Sequence, residues 1–206
     1  MTKLTTGIKD FDKLFSYDSD LLTMIYGEPA TGKTTWALLK TISEAKEKKV
    51  IYIDTENGFS VERLKQLAPD YKSFSENIMH IHPGNLEEQE KIILNLNEKI
   101  KVVIIDTIGF FYRVEVKHDP YKTNKSLDNQ LKKLHELSKK GVFILMTSQV
   151  YSNLNGKIIN VGGDMLKNWS KMIVSLSKNP RKLKIEKPFE LEALFEIEEK
   201  GIKICI

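Results

Sequence analysis

Eight consecutive residues, Gly27-Glu28-Pro29-Ala30-Thr31-Gly32-Lys33-Thr34, fill the pattern G-x-x-x-x-G-K-[ST] without a gap. Glycines let such a loop wrap a phosphate closely, its backbone N–H groups point inward, and the following helix aims its positive dipole end at the anion. Lys33 would then reach the β- and γ-phosphates, Thr34 would hold Mg²⁺, and Thr35 would open the helix. The chemistry implied is binding of a nucleoside triphosphate with Mg²⁺. Organising that metal takes a second acidic group, and Asp106, at the end of Val102-Val103-Ile104-Ile105, stands where a Walker B strand would place it. Read alone, Asp106 is also an ordinary end to a buried strand. Glu56, following Asp54-Thr55 at the end of another apolar run, is placed to orient a water in line with the leaving oxygen, although a lone glutamate in a turn is more often solvated. Gln149, in Thr147-Ser148-Gln149-Val150, is where an amide could sense a γ-phosphate and order the segment Tyr151-Ser152-Asn153-Leu154-Asn155-Gly156-Lys157. Polar strand ends are common, and spacing alone leaves that role open.

Positioning such groups requires strands that end together. Leu21-Leu22-Thr23-Met24-Ile25-Tyr26 reads as a buried strand before the loop, and Thr35-Trp36-Ala37-Leu38-Leu39 as the start of a helix running toward Lys49. Val50-Ile51-Tyr52-Ile53-Asp54 is a second strand, with Ser60 as N-cap for a helix from Val61 to Leu67. Ile78-Met79-His80-Ile81-His82 follows as a strand, and Asn85 with Glu88 forms a capping box for a helix to about Lys99. The runs 102–106 and 142–146 are continuously apolar, as strands covered on both faces must be, with a helix from about Ser126 to Lys139 between them. This alternation predicts a parallel α/β sheet through about residue 150. Beyond it, Met172-Ile173-Val174-Ser175-Leu176, Leu183-Lys184-Ile185, Ala193-Leu194-Phe195-Glu196-Ile197 and Ile202-Lys203-Ile204 read as antiparallel strands extending the sheet.

With 206 residues, 41% of them hydrophobic, the chain reads as a single domain over 1–206. It has no stretch of the roughly 20 apolar residues that a membrane span needs and no apolar leader at its N-terminus, so a cytoplasmic protein without membrane attachment is expected. Cys205 is the single cysteine, which argues against an internal disulfide and a cysteine-based zinc site. Net charge is +4, so its distribution matters more than its size. Arg113, Lys117, His118, Lys122 and Lys125 cluster after the 102–106 run, interleaved with Tyr112 and Tyr121, and Lys157 lies in the Gly/Asn-rich stretch. A flexible basic loop with aromatics suits phosphate tracking and base stacking on single-stranded nucleic acid; a solvated lysine-rich surface fits the same pattern.

Further segments join these motifs: Thr5-Thr6-Gly7-Ile8-Lys9-Asp10-Phe11-Asp12-Lys13-Leu14, Tyr52-Ile53-Asp54-Thr55-Glu56-Asn57-Gly58-Phe59, Glu62-Arg63-Leu64, Asp106-Thr107, Tyr112-Arg113, Ser148-Gln149-Val150 and Val161-Gly162-Gly163. In this order they resemble the core of the RecA-like strand-exchange recombinases, and within them a short archaeal paralogue, over nearly the whole chain. The resemblance implies a RecA-like P-loop ATPase core, with a mainly parallel sheet flanked by helices and antiparallel strands at its C-terminal end. It implies that Glu56 activates water, Arg63 contacts adenine and Gln149 senses the γ-phosphate. Segments 113–125 and 150–163 become the two DNA-binding loops, which adds Tyr151, Gly162 and Gly163 to the basic residues. Pro188 corresponds loosely to a proline that caps a neighbour's nucleotide.

Full recombinases precede this core with a helical DNA-binding domain and an aromatic polymerisation motif, whereas this sequence starts at the core. A monomer or small homo-oligomer is therefore expected rather than a long filament. Lys184-Ile185-Glu186-Lys187-Pro188-Phe189 is shorter than its counterpart and lacks the basic cluster of several relatives, which implies slow hydrolysis. The expected function is ATP-gated binding of DNA, single-stranded by preference, in support of recombination and repair, with the main recombinase or a Holliday-junction nuclease as protein partners. Three rivals stand beside it: a KaiC-like signalling ATPase, a small-molecule phosphotransferase and a nucleotide-switched interaction module. The first lacks a need for Arg113 and Gly162-Gly163, and the second usually closes an arginine-rich lid, which three scattered arginines do not supply.

Overall fold

The computed structural model describes residues 3–4, 7–8, 11–12, 17–18, 22–152, 158–160 and 162–205, giving the backbone alone at 3–4, 17–18, 151–152 and 158–160. Two short strands, β1 (Lys3–Leu4) and β2 (Tyr17–Asp18), pair with each other. The sequence then alternates as its apolar runs demand: β3 (Leu22–Gly27), α1 (Lys33–Ala45), β4 (Val50–Asp54), α2 (Val61–Leu67), β5 (Ile78–Ile81), α3 (Leu86–Leu94) and β6 (Val102–Asp106). After them come α4 (Phe110–Glu115), α5 (Pro120–Lys139), β7 (Phe143–Ser152), β8 (Ile158–Asn160), α6 (Gly163–Trp169) and β9 (Met172–Ser177). A meander of β10 (Lys182–Lys187), β11 (Leu191–Glu198) and β12 (Gly201–Cys205) completes the described chain.

One sheet takes the order β12-β11-β10-β9-β3-β7-β6-β4-β5, with β8 attached to β7. From β9 to β5 every pairing is parallel; β10, β11 and β12 add on antiparallel. Consecutive residues of β6 explain the continuous apolar run. Val102 and Ile104 enter a core with Trp36, Leu38 and Phe143 on one face, while Val103 and Ile105 enter a second with Leu127, Leu131 and Ile144 on the other. A strand buried on both faces has no polar side to alternate with. Among the described residues no helix is long and apolar enough to cross a membrane.

The structure differs from the sequence reading at four places. The run 172–176 is antiparallel to β10 but parallel to β3, because α6 carries the chain across the sheet before β9 begins. The helix after the glycine-bearing loop, α1, ends at Ala45 rather than near Lys49. The helix capped by Asn85 ends at Leu94; Asn85 accepts from the Glu88 N–H as expected, but the Glu88 carboxylate accepts from Gly84 N–H, one residue before the cap. The segment 113–125 is helical and not a flexible loop: it spans the end of α4, a turn, and the start of α5 six residues ahead of the expected Ser126. Asp119 explains that early start, since its side chain accepts from the Lys122 N–H and Pro120 fills the first helical position with its φ already set. Replacing Asp119 with alanine should lower stability by about 1 kcal/mol, a fall of roughly 2–4 °C in Tm by thermal unfolding without ligand.

Candidate functional site

The loop between β3 and α1 is shaped by its glycines. A Cβ on Gly27 would lie 2.3 Å from the Leu176 carbonyl oxygen, and one on Gly32 would lie 2.8 Å from Ile197 Cδ1. Gly32, with φ 107°, caps α1 without any side-chain hydrogen bond, and no acidic residue stands in the first turn. Gly32 thus offers the N–H groups of that turn no side-chain acceptor, which suits an anion site at a helix N-terminus. Ala30, Gly32, Lys33, Thr34, Thr35 and Ile197 line the cleft in front of it. Lys33 is buried, and its ammonium donates to the carbonyls of Gly27 at 3.0 Å and Glu28 at 2.8 Å. Burial pushes it below the ordinary lysine range, against the opposing pull of the Asp106 and Glu56 carboxylates; the Lys178 charge adds to the push. An N-terminal turn without a side-chain cap, a lysine and the Thr34 hydroxyl fits a triphosphate and its magnesium ion.

Asp106 ends β6 beside Asp54 of β4. One of its carboxylate oxygens accepts from the Tyr52 hydroxyl at 2.9 Å and the other from the Thr147 hydroxyl. Burial, followed by the charge and hydrogen bond of Asp106, raises the Tyr52 phenol well above its usual range and keeps it a neutral donor. Thr55 and Thr107 lock the ends of these strands together: Thr107 N–H donates to Thr55 Oγ1 at 2.9 Å, and Thr55 Oγ1 donates to the Thr107 carbonyl at 2.8 Å. This lock holds Glu56 over the crest. β7 and β6 lie between β4 and the loop strand, yet the Glu56 carboxylate comes near enough to the loop to act on the Lys33 ammonium, and Gln149 of β7 bonds it.

Gln149 is opposite Gly27 in the β3–β7 register. Its amide nitrogen donates to both Glu56 carboxylate oxygens, at 2.9 and 2.8 Å, while Thr107 Oγ1 also donates to Glu56 at 2.8 Å. On its other side the Gln149 oxygen accepts from Arg113 of α4 at 3.3 Å. The Glu56 carboxylate, the Gln149 amide and the Arg113 guanidinium thus form one line of contacts.

The remaining expected residues are distributed around this line. Arg63 donates to the carbonyls of Glu198 and Glu199 at 3.1 Å each, in the turn that follows Ile197 of the cleft. Lys117, Lys122 and Lys125 are exposed, and Lys122 and Lys125 line a second cleft with Glu87, Glu90 and Glu115, which offset part of their charge. Gly162 and Gly163 have positive φ and open α6; a Cβ on Gly162 would sit 3.1 Å from Leu127. Glycine is required there by the turn whatever else those residues touch. Lys157 and the side chain of Tyr151 lie outside the described residues.

The model of the Rad51 family matches residues 1–204. The chain belongs to the Rad51 family, on its RadB branch. It is 37% identical over 201 residues to "DNA repair and recombination protein RadB" of Methanocaldococcus jannaschii, covering 91% of this chain and 94% of that protein. The protein of the same name from Methanosphaera stadtmanae is 39% identical over 188 residues, covering 84% and 80%. A crystal structure described as that of the RadB recombinase superposes with a TM-score of 0.80 at 30% identity, covering 97% of this chain and 98% of that one.

Two cations beside the loop escaped the sequence reading. Arg181 donates to the Ala30 carbonyl at 3.0 Å, and Lys178 lies 3.4 Å from both the Pro29 carbonyl and the Glu28 carboxylate. Both sit about 150 residues from the loop in sequence, in the β9–β10 turn, and no local pattern announces such a contact.

Proposed function

We propose that this chain is an ATP- and Mg²⁺-binding, weakly hydrolysing DNA-binding protein that assists or regulates homologous recombination and repair without driving full strand exchange. The observation that carries this reading is the contact line Glu56–Gln149–Arg113, which joins the crest beside the phosphate loop to the exposed Arg113 on α4, ahead of the exposed Lys117, Lys122 and Lys125. Nucleotide would be held by residues 27–35 and the metal by Thr34 with Asp106 behind it. Arg113, Lys117, Lys122 and Lys125 would track a phosphate backbone, with Tyr121, 79% exposed, available to stack on a base. Residues 1–206 act in this reading as one ATPase core, and the names of the RadB relatives support the recombination context. The main recombinase or a Holliday-junction nuclease is the natural protein partner, and the working form is a monomer or small oligomer.

The test is binding of a labelled single-stranded oligonucleotide with and without ATP·Mg²⁺ across a salt series. Affinity should fall with salt, and Arg113→Ala should reduce the slope of log affinity against log salt by roughly 0.7 per lost phosphate contact. Absence of binding at low salt in both nucleotide states would refute the DNA role and leave a nucleotide switch acting on a protein.

A further inference from the structure

The turn between β9 and β10, Lys178-Asn179-Pro180-Arg181, lies against the carbonyls of the phosphate loop. Arg181 holds Ala30 at 3.0 Å, and the Lys178 ammonium is 3.4 Å from the Pro29 carbonyl and 3.4 Å from the Glu28 carboxylate. Lys33 meanwhile bonds the carbonyls of Gly27 and Glu28. Loop residues 27–30 are therefore bracketed by three cations from two distant parts of the chain. The Lys33 and Lys178 ammoniums are near enough that the charge of one disfavours the charge of the other. Two like charges at a partly buried site are mutually unfavourable, and an anion placed between them relieves that repulsion.

A lysine at the position of Lys33 reaches the β- and γ-phosphates, so a second cation bracketing residues 28–29 stands at the terminal end of a bound triphosphate. A diphosphate presents nothing at that end. We propose that Lys178, held in place by the Arg181 contact to Ala30, is a specificity-determining residue that distinguishes a nucleoside triphosphate from a diphosphate by supplying a cation in cis beside the terminal phosphate. Glu28 is its resting partner. Lys178 and Glu28 side chains are 39% and 47% exposed, so their pair is weak and a multiply charged phosphate displaces the carboxylate readily. This inference rests on the nucleotide-site reading above.

The experiment compares ATP·Mg²⁺ and ADP·Mg²⁺ affinities by calorimetry for wild type, Lys178→Ala and Lys178→Arg. Alanine should weaken ATP about tenfold, the scale of one hydrogen bond to a charged group, and leave ADP within about twofold. Retained ADP affinity also reports that the variant is folded. Arginine should restore most of the ATP preference. An unchanged ATP-to-ADP ratio in Lys178→Ala, or equal weakening of both nucleotides, overturns the assignment while leaving the nucleotide site itself intact. Failure of wild type to bind either nucleotide overturns the site and this inference together.

Discussion

Replacing Lys33 with alanine removes most of the rise in thermal stability that ATP·Mg²⁺ confers on the wild type, while the unliganded variant melts close to it. The two halves of that result have separate causes. In the free chain the Lys33 ammonium is buried and donates to two carbonyls of its own loop, and burial disfavours its charge. Those bonds offset a desolvation cost, so removing both together changes folding stability little. With nucleotide bound, the same ammonium would meet phosphate oxygens, and truncating one side of a buried charge pair costs about 2–5 kcal/mol. An affinity loss of at least about thirtyfold follows. Linkage makes the readout simple: ATP at about 100 times the wild-type Kd adds roughly 2.7 kcal/mol of stability, and a variant weakened that far gains less than about 1 kcal/mol. A thermal-shift series in ATP concentration checks it. An undiminished shift in Lys33→Ala would mean that ATP binds elsewhere.

The parts of this site visible in the sequence are those written in consecutive residues. The phosphate loop between an apolar run and a helix, Ser60 as the cap of α2, and Asp106 closing β6 are local patterns with local causes. The contacts that tie the site together are not local. Gln149 meets Glu56 across 93 positions, Arg181 meets Ala30 across 151, and Tyr52 meets Asp106 across 54. Those meetings depend on strand order, which apolar periodicity does not encode. A sequence gives the succession of β3 and β4 but not the insertion of β7 and β6 between them. The helical course of 113–125 is hidden for a different reason. Basic and aromatic residues suit a loop and an exposed helix alike, whereas Asp119-Pro120, a cap followed by a preset first residue, marks the start of α5.

Gln149→Ala should leave ATP binding and DNA binding each present but independent. In the structure this side chain is the contact through which Glu56 reaches Arg113: its amide nitrogen holds the carboxylate and its oxygen holds the guanidinium. Alanine removes both bonds, yet Glu56 keeps the Thr107 hydroxyl and the loop keeps Lys33, so neither site is dismantled. A coupling free energy of about 1–3 kcal/mol, typical between two ligand sites, corresponds to a change of about 5- to 150-fold in DNA affinity on adding ATP. Wild type should show a ratio in that range and the variant a ratio near one. Because coupling is reciprocal, DNA should alter ATP affinity by the same factor in wild type and by none in Gln149→Ala. Measuring both directions separates the amide from the strand that carries it. The β3–β7 register pairs Gly27 with residue 149 through backbone alone, which alanine leaves intact. A variant that retains the full ATP effect would therefore assign the coupling to movement of β7 as a strand, and would remove the Gln149 side chain from its role as the gate.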